Sequence, residues 1–178
     1  LALFLPEAKT PDFRQNIVFS RIPGTDRELL CDLWLPPENV KRSGFAFIYF
    51  HGAAWCILDK DFGTRPFFKH LAAQGHVIMD AANRLFPETD IAGMVQDVYR
   101  AIAWMKDNAG SYGINPEHIV VGGGSSGGHI SMLAAYALSS GLLLPHELRG
   151  RELSVKGVIS LYGPSNLTDL YYHTGQHI

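Results

Sequence analysis

The rhythm of apolar and polar positions changes near residue 45. Before it, "NIVFSRI" (Asn16–Ile22) and "ELLCDLWL" (Glu28–Leu35) are strand-like runs parted by "PGTD". That turn, with Pro23 and Gly24, predicts an antiparallel hairpin at a sheet edge. After it the strands read as continuous apolar runs, the pattern of a sheet buried on both faces. These are "FAFIYF" (Phe45–Phe50), "HVIMDAA" (His76–Ala82), "HIVVGG" (His118–Gly123) and "VKGVISLYG" (Val155–Gly163). Helical segments lie between them. Arg65–Gly75 is stopped by its glycine, and Asp90–Ala109 places Ile91, Met94, Val95, Val98, Ile102 and Met105 on one face. A third runs from Gly127 to Gly141. Alternating strand and helix predicts an α/β fold with a mostly parallel, doubly wound sheet and an antiparallel N-terminal hairpin. Ligands of such sheets bind beyond the strands' carboxyl ends, which directs attention to the loops after Phe50, Ala82 and Gly122.

Composition narrows the class. The 178 residues, 47% hydrophobic and 18% charged, suit one globular domain with a real core. A formal charge of −2 gives no basic footprint, so no nucleic-acid partner is expected. No apolar run approaches the roughly 20 residues that span a bilayer. The opening "LALFLPEAKT" begins at Leu1 rather than methionine, which leaves room for a signal or anchor upstream. Cys31 and Cys56 imply no disulfide framework and read as free thiols packed as small apolar groups. The cytoplasm is favoured and the oligomeric state is open.

The stretch "VVGGGSSGGHIS" (Val120–Ser131) carries the first chemical signal. A Walker phosphate loop is excluded, because no lysine follows Gly128. Gly122, Gly124 and Gly127 fit a dinucleotide fingerprint, but on a late strand and with no acidic ribose partner before Glu147. The third reading is a nucleophile elbow, G-x-S-x-G, in which a tight strand-to-helix turn lifts a serine above the sheet. Gly123–Gly127 centres this pattern on Ser125, and Gly124–Gly128 centres it equally well on Ser126. Simple capping of the next helix by either serine is the plain alternative.

Two further stretches favour the elbow. "HGAAW" (His51–Trp55) follows the strand ending at Phe50, and "NRLFPE" (Asn83–Glu88) follows the next one. With "INPEHIVVGGGSSGGH" (Ile114–His129), the chain from about Phe45 to Gly163 resembles the hormone-sensitive-lipase-like branch of the α/β-hydrolase superfamily. Its loops read HGGGW and YRLxPE. The resemblance implies a serine carboxylic-ester hydrolase with Ser125 as nucleophile, working through an acyl-enzyme. The Ser126 amide and those of Gly52 and Ala53 would form the oxyanion hole. The expected partner is a small-molecule ester, with no metal or organic cofactor. His51 would be structural, and Trp55 either walls the acyl pocket or packs in the core. Arg84 and Glu88 would pair beneath the site, with Asp97 joining them or solvated. Ala53 and Ala54 replace two glycines, so the hole is expected to differ in shape, because alanine resists positive φ.

A serine nucleophile needs a base and an orienting acid, in this fold on loops after later strands. Only 53 residues follow Ser125. Asp169, His173 and His177 follow a single strand and read as a surface tail, while His129 reads as a packing residue. Residues 1–178 are therefore expected to be a partial α/β-hydrolase domain, its nucleophile-bearing N-terminal portion, without the last strands. Alone it would be marginally stable and inactive towards esters. Two other functions stay open: a non-catalytic small-ligand-binding protein on the same fold, and an amide or formamide hydrolase.

Overall fold

In this computed structural model, which describes residues 10–175, the antiparallel entry comes first, as β1 (Asp12–Arg21) and β2 (Glu28–Leu35). There follow β3 (Ala46–Phe50), α1 (Arg65–Ala73), β4 (Val77–Ala81), α2 (Ile91–Asp107) and α3 (Ala109–Tyr112). The chain continues through β5 (Ile119–Gly124), α4 (Ser126–Ala137), β6 (Gly157–Leu161) and α5 (Leu167–Gly175). One six-stranded sheet has the order β1-β2-β4-β3-β5-β6. β1–β2 and β2–β4 pair antiparallel, and β4–β3–β5–β6 are parallel. This is the mixed, mostly parallel sheet that the apolar runs predict.

The sheet is buried on both sides by different residues of the same strands, as period-two alternation requires. Leu33, Ile48, Phe50, Met79 and Val121 face α2 and α4, whose Val95, Val98, Ile102 and Ile130 complete the larger core. Trp34, Phe47, Tyr49 and Ile78 face the other way, against Phe68 and Ala72 of α1. Beyond α1 that face is open towards β6, where Ile159 is 45% exposed. Asp90 caps α2, its carboxylate accepting the Gly93 amide at 2.8 Å.

Three elements depart from the sequence expectation. β1 begins at Asp12, four residues before the apolar run, because backbone pairing with β2 carries polar residues on an edge strand. The segment expected as one helix to Ala109 breaks at Asn108, whose side-chain amide turns back to the Trp104 carbonyl at 2.8 Å. The expected tail contains α5, started by Asn166, whose side-chain oxygen Oδ1 accepts the amides of Thr168 and Asp169 at 3.1 and 3.2 Å. Cys31 is buried as expected, whereas Cys56 is exposed, and neither is bridged. The opening segment Leu1–Lys9 and His177 lie outside the described residues.

Candidate active site

The glycines of the elbow are explained by backbone touching backbone. A methyl on Gly123 or Gly127 would overlap the Phe50 carbonyl oxygen, and one on Gly127 would lie 2.6 Å from that of His51. A methyl on Gly52 would lie 2.9 Å from the Gly124 oxygen and 3.0 Å from Ser125 Cβ. The ends of β3 and β5 and the start of α4 therefore converge with no room for side chains. This is the close strand–helix approach for which an elbow needs glycine.

Ser125 stands at the apex with φ 48° and ψ −120°, a sparsely populated positive-φ conformation that costs a non-glycine residue roughly 1–3 kcal/mol. Its amide is tied to the Leu161 carbonyl of β6 at 2.9 Å, and its own carbonyl accepts the His129 amide at 3.0 Å, the first bond of α4. The amides of Ser126, Gly127 and Gly128 thus form the open first turn, the positive end of the helix. Neither serine caps α4 through its side chain, which removes the capping alternative.

The structure separates the two serines that the sequence pattern leaves equivalent. Ser126 is 5% exposed, and its Oγ accepts the Ala53 amide at 2.9 Å. Ser125 is half-buried, whereas every other residue from Val121 to Ser131 is buried. Gly52, Ala53, Ser125 and Ser126 are brought together as expected. The Ala53 amide, however, is not a free donor here, since the Ser126 hydroxyl occupies it.

The loop from His51 to Thr64 is stapled to α4 a second time. Trp55 Nε1 donates to His129 Nδ1 at 3.3 Å, with the rings edge to face at 5.5 Å. The Trp55 carbonyl accepts the Phe86 amide at 2.9 Å. Ala54 (φ 50°) and Trp55 (φ 64°) are both left-handed, so alanine here takes the backbone shape that it was expected to resist. His51 is 4% exposed, and its Nδ1 lies 3.2 Å from the Gly52 carbonyl. Burial lowers the pKa of both His51 and His129, favouring neutral rings. Among the described residues no histidine or carboxylate is hydrogen-bonded to Ser125 Oγ. Asp169 instead accepts from Asn166 Nδ2 at 2.7 Å, on the exposed start of α5. No group of three or more His, Cys, Asp or Glu is placed to hold a metal among those residues.

The expected Arg84–Glu88 pair is not formed. Arg84 binds Asp97 of α2 at 2.8 Å, while the exposed Glu88 meets Arg27 of the β1–β2 turn at 2.8 Å. Asp97 is fully buried and also accepts the Arg84 amide at 2.9 Å and Arg100 at 3.0 Å. Arg100 in turn reaches Glu147 at 2.6 Å. A buried guanidinium needs a buried countercharge, and Asp97 is the carboxylate beneath the loop. One polar cluster escaped the sequence reading altogether. Asp32 and Asp80 stand opposite each other in β2 and β4, with Lys60 against Asp32. Its signal was the lone acid in each of the apolar runs "LCDLW" and "VIMDA".

Comparison with known proteins identifies the family. Residues 31–178 match the BD-FAE family model. The esterase LipQ of Mycobacterium tuberculosis is 30% identical over 94% of this chain and 40% of its own length. Arylacetamide deacetylase of Bos taurus is 28% identical over 72% of this chain and 33% of its own. The chain thus spans less than half the length of these curated relatives. Among solved structures, the apo form of Thermogutta terrifontis esterase 2 superposes with a TM-score of 0.71 at 23% identity, covering 90% of this chain and 58% of that one. That likeness shows the shared fold. The chain belongs to the BD-FAE family of the α/β-hydrolase superfamily.

Proposed function

We propose that the protein is a carboxylic-ester hydrolase whose nucleophile is Ser125. The observation that carries this reading is the positive-φ, half-buried Ser125 at the open N-terminal turn of α4. Ser125 Oγ adds to the ester carbonyl carbon and passes its proton to a base. The carbonyl oxygen becomes the oxyanion, held by the Ser126 amide with those of Gly52 and Ala53. On collapse the base returns that proton to the leaving oxygen, so the alcohol departs and an acyl-enzyme remains, which water then hydrolyses. For Ala53 to take part, the Ser126 hydroxyl rotates off its amide when substrate enters.

On this reading, residues 1–178 are the nucleophile-bearing portion of the catalytic domain, in keeping with their share of the relatives' length. The base and its orienting acid come from outside this stretch, and the stretch alone is inactive. A small-molecule ester is the substrate class. The protein expressed from its own gene is expected to turn over p-nitrophenyl butyrate, and Ser125→Ala to lower the rate by at least about a thousandfold. Retained turnover in that variant contradicts the assignment.

A second reading is favoured by one observation. With the Ala53 amide occupied by Ser126 Oγ, one of the three expected oxyanion donors is already taken, which favours a non-catalytic small-ligand-binding protein on the same fold. Binding of an ester analogue with no turnover by the protein from its own gene supports that alternative.

A further inference from the structure

Asp32 of β2 and Asp80 of β4 are direct partners across an antiparallel pair, and each is 1% exposed. Like charges so placed repel. One oxygen of each, Asp32 Oδ2 and Asp80 Oδ1, is buried without a hydrogen-bond partner. The loop between β3 and α1 reaches both of the other oxygens, and Asp32 Oδ1 also accepts the Asn16 amide of β1 at 2.8 Å. Lys60 Nζ lies 3.0 Å from Asp32 Oδ1, its side chain only 9% exposed, and also donates to Asn16 Oδ1 at 2.9 Å. The Asp61 amide donates to Asp80 Oδ2 at 2.7 Å.

This loop begins with Gly52 and Ala53. It contains no helix or strand between Phe50 and Arg65, and four of its non-glycine residues, Ala54, Trp55, Leu58 and Asp61, have positive φ. Such backbone persists only where the surroundings hold it. At one end the hold is Ser126 and His129; at the other it is the buried acid pair. We propose that Lys60 and Asp80 are positioning residues, which fix the far end of this loop to the sheet and so keep the Gly52 and Ala53 amides beside Ser125. The catalytic half of this inference rests on the function proposed above.

The titratable groups facing Asp80 come from three elements: the charged Asp32 of β2, Lys60 and Asp61 of the loop, and the neutral Tyr49 of β3, its register partner. Burial first, and then Asp32 and Asp61, push the Asp80 carboxyl up to about 7 against the pull of the Asp61 amide and Lys60. A neutral acid that accepts one amide is closely imitated by asparagine. A salt bridge buried in this way is held by both partners, since removing one strands the other.

The test is hydrogen exchange of the loop peptide 52–64, read beside fluorophosphonate labelling of Ser125 in the protein from its own gene. Asp80→Ala and Lys60→Met are expected to speed exchange of this peptide tenfold or more, with peptide 91–107 of α2 unchanged. Labelling should slow fivefold or more. Asp80→Asn should stay within twofold of the parent in both. Unchanged loop exchange in Asp80→Ala and Lys60→Met overturns the tether, as does Asp80→Asn behaving like Asp80→Ala. If either variant fails to fold, Lys60→Met/Asp32→Asn removes both charges and is read the same way. A loosened loop with unaltered labelling overturns the catalytic half alone. A parent protein that takes no label counts against the proposed function, and loop exchange then decides the tether by itself.

Discussion

The amide of Ala53 donates to Oγ of Ser126 at 2.9 Å, and this bond sorts two adjacent serines into different roles. Ser126 ties the loop after β3 to the start of α4, whereas Ser125 is left half-buried and strained beside it. Removing the Ser126 hydroxyl frees the amide of Ala53, a residue that is only part-buried. Ser126→Ala loses one tether of the loop while freeing that amide, and is expected to label with a fluorophosphonate at a rate within about fivefold of the parent, the scale of one hydrogen bond of roughly 1 kcal/mol. Ser125→Ala should not label at all. Loss of labelling in Ser126→Ala would mean that its hydroxyl does more than hold the loop.

The elbow tolerates no methyl. In Gly127→Ala the new carbon overlaps the Phe50 carbonyl, so strand, helix or both must move. A loss of about 3 kcal/mol or more is expected, at the severe end for single substitutions. Gly110 of α3 has nothing within 4 Å of its missing Cβ, and Gly110→Ala should be neutral or slightly stabilising. Urea unfolding of the two variants makes the comparison.

Asp80 gives a pH dependence of definite sign. Its folded pKa, about 7, lies above the ordinary 3.8, so folding favours the protonated form. The stability it contributes is complete below about pH 3.8 and is lost as pH rises through about 7. Each unit of difference corresponds to about 1.4 kcal/mol. His51 and His129 act in the opposite sense. Burial lowers their pKa from 6.5, so their contribution is present above about 6.5 and is lost as pH falls. The difference between parent and Asp80→Asn isolates the carboxyl. In urea unfolding from pH 4 to 8, the variant is expected to gain stability on the parent as pH rises.

The ion pairs divide by burial. Asp97→Ala leaves the Arg84 guanidinium without a carboxylate and Arg100 with Glu147 alone; the two arginines are 13% and 6% exposed. It should cost about 3–5 kcal/mol. Glu88→Gln opens the exposed pair with Arg27 and should cost less than about 1 kcal/mol. Thermal unfolding of both variants checks the contrast.

The sheet was legible because its strands advertise their burial. Phe45–Phe50 and His76–Ala82 are apolar runs that only a sheet covered on both faces requires, and the entry hairpin announces itself through Pro23 and Gly24. The site was legible as far as local pattern reaches. Glycine spacing narrowed the elbow to Ser125 or Ser126 and the family resemblance pointed to Ser125, while the Ala53–Ser126 bond, across 73 positions of sequence, separates the two in the fold. Partners set by tertiary contact were not legible. Arg84 has Glu88 four residues away but binds Asp97, because burial rather than proximity selects the countercharge. Asp32 and Asp80 lie 48 positions apart in runs otherwise read as pure core. Helix α5 was hidden because its start depends on Asn166 folding back on its own backbone, a cap that neither strong periodicity nor a long apolar face announces.

The central claim is that Ser125 is the reacting group. Its most direct test is to treat the protein expressed from its own gene with a fluorophosphonate and map the adduct by peptide mass spectrometry. The account predicts one phosphonyl group, on Ser125. An adduct on Ser126 or on another residue, or full retention of label in Ser125→Ala, would contradict it.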